Sequence, residues 1–179
     1  MPKLITVAGP PGAGKTTICT LVRNEIDITW PKVDAIKLMI TDRASTVERR
    51  DLAHRVFNYF VALLMQEEKD ILLELPITYP HANHVREEAQ KRGYDMTEVM
   101  LLPPLEVCMT RHNQRYQPER KYTIPEERVR DLYATAQHQT THNTLTIDTS
   151  QCTAEEATRH ILKLAGYHPF NKEHGKEKK

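Results

Sequence analysis

The stretch "GPPGAGKTT", residues 9–17, contains the residue types that can hold a phosphate group. It reads Gly-x-x-x-x-Gly-Lys-Thr, and its glycines allow backbone N–H groups to surround an anion. In such a loop Lys15 reaches the outer phosphates of a nucleoside triphosphate, and the Thr16 hydroxyl binds Mg²⁺. We therefore predict a site for ATP and Mg²⁺ formed by consecutive residues, namely Gly9, Pro10, Pro11, Gly12, Ala13, Gly14, Lys15, Thr16 and Thr17.

Alternating strands and helices are expected to position this loop. An apolar run precedes the loop and a helical pattern follows it, as the motif requires. Further apolar runs are separated by segments of helix length, which predicts a parallel sheet built from βαβ units. The fold class is therefore α/β, with a five-stranded parallel sheet sandwiched by helices in three layers. The predicted strands are Leu4–Ala8, Val33–Ile40, Ile71–Leu75, Glu98–Leu102 and Leu145–Ile147.

A long helix is predicted to begin at the capping box Ser45-Thr46-Val47-Glu48 and to run to about Lys69. Its apolar residues recur every fourth position, which predicts one buried face. The residues expected on that face are Leu52, Val56, Phe60 and Leu64.

The composition of the chain limits the classes of protein to which it could belong. The chain has 179 residues and a formal net charge of +1, which suits one domain and argues against a dedicated nucleic-acid coat. Its three cysteines are far apart, so we interpret them as reduced and expect a cytoplasmic location. No apolar run is long enough to span a membrane. The charged tail, residues 167–179, is expected to be disordered.

A second informative segment reads "PLEVCMTRHNQRYQPERKYTIPEERVRDLY". Arg111 and Arg115 are four residues apart and share one face if the segment is helical. A basic, proline-interrupted stretch follows, and then a helix pattern resumes. We interpret residues around 111–125 as a lid, whose guanidinium groups neutralise the charge of a transferring phosphoryl group and whose closure excludes water.

These segments together resemble the small P-loop kinases that include polynucleotide 5′-hydroxyl kinases and zeta-toxin-like phosphotransferases. The resemblance rests on "GPPGAGKTT", on "PLEVCMTRHNQR" followed by "IPEERVRDLY", and on "LTIDTS" followed by "TAEEATRHIL". It covers about residues 3–165 and implies one kinase domain over 1–166. It also implies transfer of the ATP γ-phosphate to a hydroxyl, with Arg115 and Arg111 contacting the nucleotide phosphates.

A hydroxyl acceptor needs a carboxylate that orients it and takes its proton. In the resembled kinases this carboxylate lies just beyond the second strand. If that strand is Val33–Ile40, the carboxylate is that of Asp42, and Arg43 beside it would contact the substrate. If the strand lies instead near Ile26–Trp30, the carboxylate is that of Asp34, and Lys37, one helical turn further on, would contact the substrate. The better buried strand pattern of "AIKLMI" favours Asp42, and both remain open.

Glu74 lies in the apolar run "ILLEL". Burial of an unpaired acid is costly, so we expect it either to hold a water bound to Mg²⁺ or to contact the substrate as a base.

The first functional hypothesis is an ATP-dependent kinase whose acceptor is a hydroxyl on DNA or RNA, either a 5′ end or a modified base. A nucleoside or other small molecule is the alternative acceptor. The hypothesis from another class is a nucleotide-binding switch or NTPase that works through partners. The sequence lacks the Asn-Lys-x-Asp motif of switch GTPases, which favours the kinase. It does not determine the oligomeric state.

Overall fold

The computed structural model describes residues 1–40, 47–76, 81–114, 124–139 and 144–167. Within these residues the chain forms a parallel sheet of four strands in the order β2-β1-β3-β4. The central position of β1 places the glycine loop, which follows it, at the middle of the carboxyl edge. The strands are β1 (Lys3–Gly9), β2 (Ile71–Pro76), β3 (Asp95–Leu101) and β4 (Thr144–Ile147).

Helices cover both faces of this sheet, which confirms the predicted three-layer α/β arrangement. On one face α1 and α7 bury side chains against Ile5 and Val7 of β1. On the other, α3 and α4 pack against Leu4 and Leu73. The described helices are α1 (Lys15–Glu25), α2 (Val33–Ile40), α3 (Val47–Gln66), α4 (Ala82–Lys91), α5 (Leu105–Gln114), α6 (Glu126–Gln139) and α7 (Ala154–Leu164).

The prediction of a strand at Val33–Ile40 is wrong, because these residues form α2. Four strands rather than five are therefore present in the described part of the chain. A short apolar run fits a strand or a helix equally well. This run is not buried as a strand would be, since Leu38 and Met39 are 74% and 85% exposed.

Beside the edge strand β2, where a fifth strand would lie, the chain forms a single parallel bridge between Thr29 and Ile71. The Thr29 N–H donates to the Asp70 carbonyl at 3.0 Å, and the Leu72 N–H donates to the Thr29 carbonyl at 2.9 Å. The chain is thus extended beside β2 near Ile26–Trp30, which is the alternative position considered for the second strand.

The long helix is confirmed over Val47–Gln66, whereas Ser45 lies outside the described residues. Its buried face is displaced by one residue from the predicted one. Leu52, Val56 and Phe60 are about 40% exposed and Leu64 is only partly buried. The residues in the core are instead Ala53, Phe57, Val61 and Met65.

The remaining predicted strands are confirmed, and β3 begins at Asp95, earlier than expected. No described helix combines the length and apolar character that a membrane span requires.

Candidate nucleotide-binding and phosphotransfer site

The glycine loop connects β1 directly to α1 at the carboxyl edge of the sheet. Gly14 is the N-cap of α1 and has φ of +94°, a left-handed conformation that glycine adopts at low cost. The positive end of α1 therefore lies at the loop, together with backbone N–H groups that are suited to an anion. Gly9, at the start of the loop, pairs in register with Pro76 of β2.

Lys15 is the first residue of α1, and its side chain turns back over the loop. Its Nζ donates to the carbonyls of Gly9 at 2.8 Å and Pro10 at 3.0 Å. A phosphate group bound at the loop would provide stronger, charge-assisted acceptors for this ammonium.

Thr16 and Glu74 meet at this edge. The Thr16 hydroxyl donates to Glu74 Oε1 at 2.6 Å, although 58 positions separate the two residues in the chain. Glu74 is half-buried on β2 and lies opposite Val7 of β1, two residues before the loop begins. The acid in the apolar strand thus has the polar partner that its burial requires.

The Thr16–Glu74 pair fits a magnesium ion. Mg²⁺ binds oxygen ligands, and it commonly uses one or two protein groups together with substrate phosphates and water. A hydroxyl and a carboxylate beside a phosphate-binding loop are such a donor set. The described residues contain no group of three or more His, Cys, Asp or Glu side chains that could hold a metal without a substrate.

Helix α5 packs directly against the loop at Gly12. A Cβ added to Gly12, which has φ of +83°, would lie 2.2 Å from the carbonyl oxygen of Cys108. Only glycine permits this approach of two backbones. Burial raises the pKa of the Cys108 thiol to about 11, although the positive charges of Arg111 and Lys15 act in the opposite direction.

Arg111 extends from α5 to the segment that follows β4. Its Nη1 donates to Thr149 Oγ1 at 2.8 Å and its Nη2 to the Thr149 carbonyl at 2.9 Å. The Thr149 hydroxyl in turn donates to the Ala13 carbonyl of the loop at 3.1 Å. Thr149 was not among the residues predicted from sequence, and the available signal was its position just after a strand, at the carboxyl edge of the sheet.

The first turn of α2 carries Asp34, whose Oδ1 lies 3.0 Å from Lys37 Nζ. The Asp34 side chain is 85% exposed. The positive charge of Lys32, which immediately precedes α2, acts to lower the pKa of the Cys19 thiol on α1. Burial and the Glu74 carboxylate raise the pKa of the Cys19 thiol far above its ordinary value.

The structure thus brings together the loop, Glu74 and Arg111 around one edge of the sheet. Asp42, Arg43 and Arg115 lie outside the described residues, as does most of the predicted lid. Their assigned roles remain predictions.

Comparison with known proteins identifies the class to which this fold and site belong. A family model described as "AAA domain" matches residues 4–139, which is more than half of the chain. The chain belongs to this family, and its resemblance to the P-loop kinases is thereby confirmed. No curated protein matches the sequence significantly.

Solved structures share the fold at low sequence identity. An unliganded sugar kinase from Janibacter sp. HTCC2649 is 18% identical with a TM-score of 0.67, covering 94% of this chain and 97% of that one. Shikimate kinase from Acinetobacter baumannii, in complex with shikimate, is 23% identical with a TM-score of 0.57, covering 92% and 93%. A chain of the Pnkp1/Rnl/Hen1 RNA repair complex is 18% identical with a TM-score of 0.63, covering 76% of this chain but 44% of that one.

Proposed function

We propose that this protein is an ATP-dependent kinase that transfers the γ-phosphate to a hydroxyl group. The observation that carries the proposal is the hydrogen bond between Thr16 and Glu74 at 2.6 Å, beside a glycine loop that carries Lys15. This arrangement supplies a lysine for the phosphates and oxygen ligands for the cation that accompanies ATP.

In this mechanism the backbone amides of residues 9–17 and the Lys15 ammonium bind the β- and γ-phosphates. Thr16 and Glu74 hold Mg²⁺, which neutralises charge on the phosphates when bound. Arg115 approaches the γ-phosphate from the predicted lid and stabilises the charge that spreads over it during transfer. Exclusion of water by the lid favours transfer to the acceptor over hydrolysis.

The acceptor hydroxyl needs a general base, and Asp34 is now the better supported of the two aspartates. The preference for Asp42 rested on a strand at Val33–Ile40, and that segment is helical. Asp34 follows the extended segment at Thr29, as the alternative required. Its ion pair with Lys37 orients the carboxylate, which can accept further hydrogen bonds.

A hydroxyl on DNA or RNA is the acceptor in the first version of this proposal. The resemblance of the phosphate loop and the "TRHNQR" segment to polynucleotide kinases supports it, as does the fold shared with a chain of an RNA repair complex. A small polyhydroxyl compound is the second candidate. The chain matches a sugar kinase and shikimate kinase over more than 90% of their lengths, whereas it covers 44% of the RNA repair chain.

The test is release of ADP from Mg²⁺-ATP in the presence of different acceptors. The panel contains 5′-hydroxyl DNA and RNA, hydroxymethylated DNA, a nucleoside mixture and a mixture of sugars and sugar-like acids. We expect stimulation by one of these classes and none in the Lys15→Ala variant. Stimulation by nucleosides or sugars alone would overturn the nucleic-acid version. ATP hydrolysis that no acceptor changes would contradict the kinase and favour a partner-dependent NTPase.

A further inference from the structure

The sheet ends on one side in a short extended segment whose outer backbone groups are open. Thr29 forms the bridge to β2, donating to the Asp70 carbonyl and accepting from the Leu72 N–H. Peptide groups of alternate residues point to opposite sides of an extended chain, so those of Ile28 and Trp30 point away from β2. No backbone group in the part of the chain that the structure describes bonds to either residue. The segment therefore presents two N–H groups and two carbonyls at the edge of the sheet.

A groove of about 430 Å³ lies beside this edge. Residues 26–31 line it, together with Arg23 from α1 and Phe60 from α3. Because α1 and α3 cover opposite faces of the sheet, the groove is open where a further strand would add. Addition of a strand to such an edge is a recurring mode of protein association.

Helix α3 carries an apolar stripe beside the same edge. Its members have the i, i+3, i+4, i+7 spacing of one helical side and are between 41% and 77% exposed. They are Val56, Tyr59, Phe60 and Leu63. On the opposite side of α3, the His54 ring contacts that of His81, the N-cap of α4, at 6.4 Å between centroids. The stripe therefore faces away from α4, and Phe60 joins it to the groove at the edge of the sheet.

A second copy of the chain fits this edge. Antiparallel pairing about Thr29 sets Ile28 of one copy opposite Trp30 of the other, and these two residues can exchange both of their hydrogen bonds. A two-fold axis repeats the pair, so the four outward groups of each copy are satisfied.

The charges at the two ends of the segment favour the same orientation. Asp27 precedes the segment, and Lys32 follows it with Nζ 3.8 Å from the centroid of the Trp30 ring. Antiparallel pairing brings the Asp27 of one copy beside the Lys32 of the other. Parallel pairing would instead bring like charges together, which is unfavourable.

We propose that two copies of this chain form a dimer with a two-fold axis at Thr29, in which the two sheets become continuous through residues 28–30. The same axis sets the two α3 helices antiparallel on one face, with their apolar stripes toward each other. Phe60 is exposed in the single chain and covered in the dimer. The inference does not depend on the proposed kinase function, because it uses no residue assigned to the phosphate site or to the general base.

The first test is the mass in solution, measured by analytical ultracentrifugation over a range of protein concentrations. We expect twice the chain mass of 20.7 kDa at the highest concentrations. Leu63→Glu places a charge on the apolar stripe and should weaken the dimer about tenfold or more. Gln90→Glu, on the exposed surface of α4, is the matched control and should leave the dimer unchanged. Both variants should keep the circular-dichroism spectrum of the unaltered protein, since both positions are exposed.

Disulfide formation tests the pairing of the strands independently of the stripe. The two copies of Thr29 would lie opposite each other as a non-hydrogen-bonded pair, with Cα atoms about 4.5 Å apart, which a disulfide can bridge. Thr29→Cys should therefore give a covalent dimer on mild oxidation, and Gln90→Cys should not. Both variants keep the three natural cysteines, so Gln90→Cys also controls for linkage through those.

Three results would contradict the proposal. The mass of a single chain at every concentration, with no covalent dimer from Thr29→Cys, would overturn it. A dimer that Leu63→Glu does not weaken and Thr29→Cys does not link would use another surface and would overturn it equally. A dimer that Leu63→Glu weakens but Thr29→Cys does not link would exclude the continuous sheet.

Discussion

The proposed phosphate-binding end of this molecule and its proposed acceptor end are built differently. At the phosphate end, the loop after β1 is connected by hydrogen bonds or direct packing to α1, β2, α5 and the segment after β4. At the proposed acceptor end, α2 presents Asp34 to solvent, and α3, which packs against α2, exposes Phe60. The groups of the proposed phosphate site are thus held by contacts within the protein, whereas the proposed acceptor end offers exposed side chains.

Under the proposed function, this difference follows from what each end would recognise. Phosphates are the same in every nucleoside triphosphate, so one rigid arrangement of backbone amides and a lysine serves all of them. Acceptors differ among proteins of the same fold, and side chains on exposed helices can vary without disturbing the core. Five predictions test this contrast between a prebuilt phosphate end and an open acceptor end.

The largest expected effect is that of Lys15→Ala. Loss of the ammonium above the loop should reduce turnover of ATP by on the order of a thousandfold, because it removes charge stabilisation needed during transfer. The measurement is the steady-state rate of ADP release with the best acceptor. Lys91→Ala, on the surface of α4, is the matched control and should leave the rate unchanged. A loss below tenfold in Lys15→Ala would contradict the assignment.

The acceptor end is tested by separate Asp34→Asn and Asp42→Asn variants. Removing a general base should lower turnover by roughly a hundredfold or more without weakening ATP binding. We expect this loss for Asp34→Asn, measured as kcat with acceptor alongside the dissociation constant for ATP. Asp51→Asn, on the exposed surface of α3, serves as the control. Equal, mild losses in both variants would exclude both aspartates as the base.

Gly12→Ala should disrupt the packing of α5 against the phosphate loop by steric conflict. Its Cβ would lie 2.2 Å from the Cys108 carbonyl, so α5 or the loop must move. We expect the free energy of unfolding in urea to fall by about 3 kcal/mol from overpacking and backbone strain together. Gly93→Ala is the matched control, because its φ is also positive but nothing lies within 4 Å. It should cost about 1 kcal/mol from strain alone. Equal losses in the two variants would mean that α5 does not press on the loop.

The smallest expected effect is a decline in stability at high pH, caused by the buried thiol of Cys108. Burial raises the pKa of Cys108 to about 11, from an ordinary value of 9.0. Above pH 9 the unfolded chain loses this proton while the folded chain keeps it, so the folded state is progressively destabilised as the pH rises from 9 toward 11. The free energy of unfolding should therefore decline over that interval, as measured by urea titration at each pH.

Alkylation of the native protein tests the same packing at neutral pH. Iodoacetamide should modify the half-buried Cys152 well before Cys108 or Cys19, which are both fully buried. Mass spectrometry of the digested protein gives the order of reaction. Modification of Cys108 as fast as Cys152 would indicate that α5 separates readily from the phosphate loop.

Much of the phosphate end was predictable because its signals are local. The glycine loop has a fixed spacing, and the strands before and beside it are apolar runs bounded by turn residues. Contacts across the chain were not predictable in the same way. Nothing local in the sequence indicates that Thr16 bonds to Glu74, or that Arg111 is held by Thr149.

The acceptor end was predicted less well because its patterns are ambiguous. The run at Val33–Ile40 has the composition of a strand but not the alternation that would distinguish it from a helix. In α3, two adjacent stripes recur every four residues, one through Leu52 and Val56 and the other through Ala53 and Phe57. Periodicity gives the spacing of the apolar residues but does not indicate which stripe is buried. In the structure the second stripe is the one that packs against the sheet.

The most direct test of the central claim is the fate of the γ-phosphate. Labelled γ-³²P-ATP is incubated with the protein and the acceptor panel, and the label is divided between acceptor and inorganic phosphate. The account predicts that most label converted by the unaltered protein is found on one class of hydroxyl acceptor, and that none is found there with Lys15→Ala. Label that appears only as inorganic phosphate, whichever acceptor is present, would contradict it.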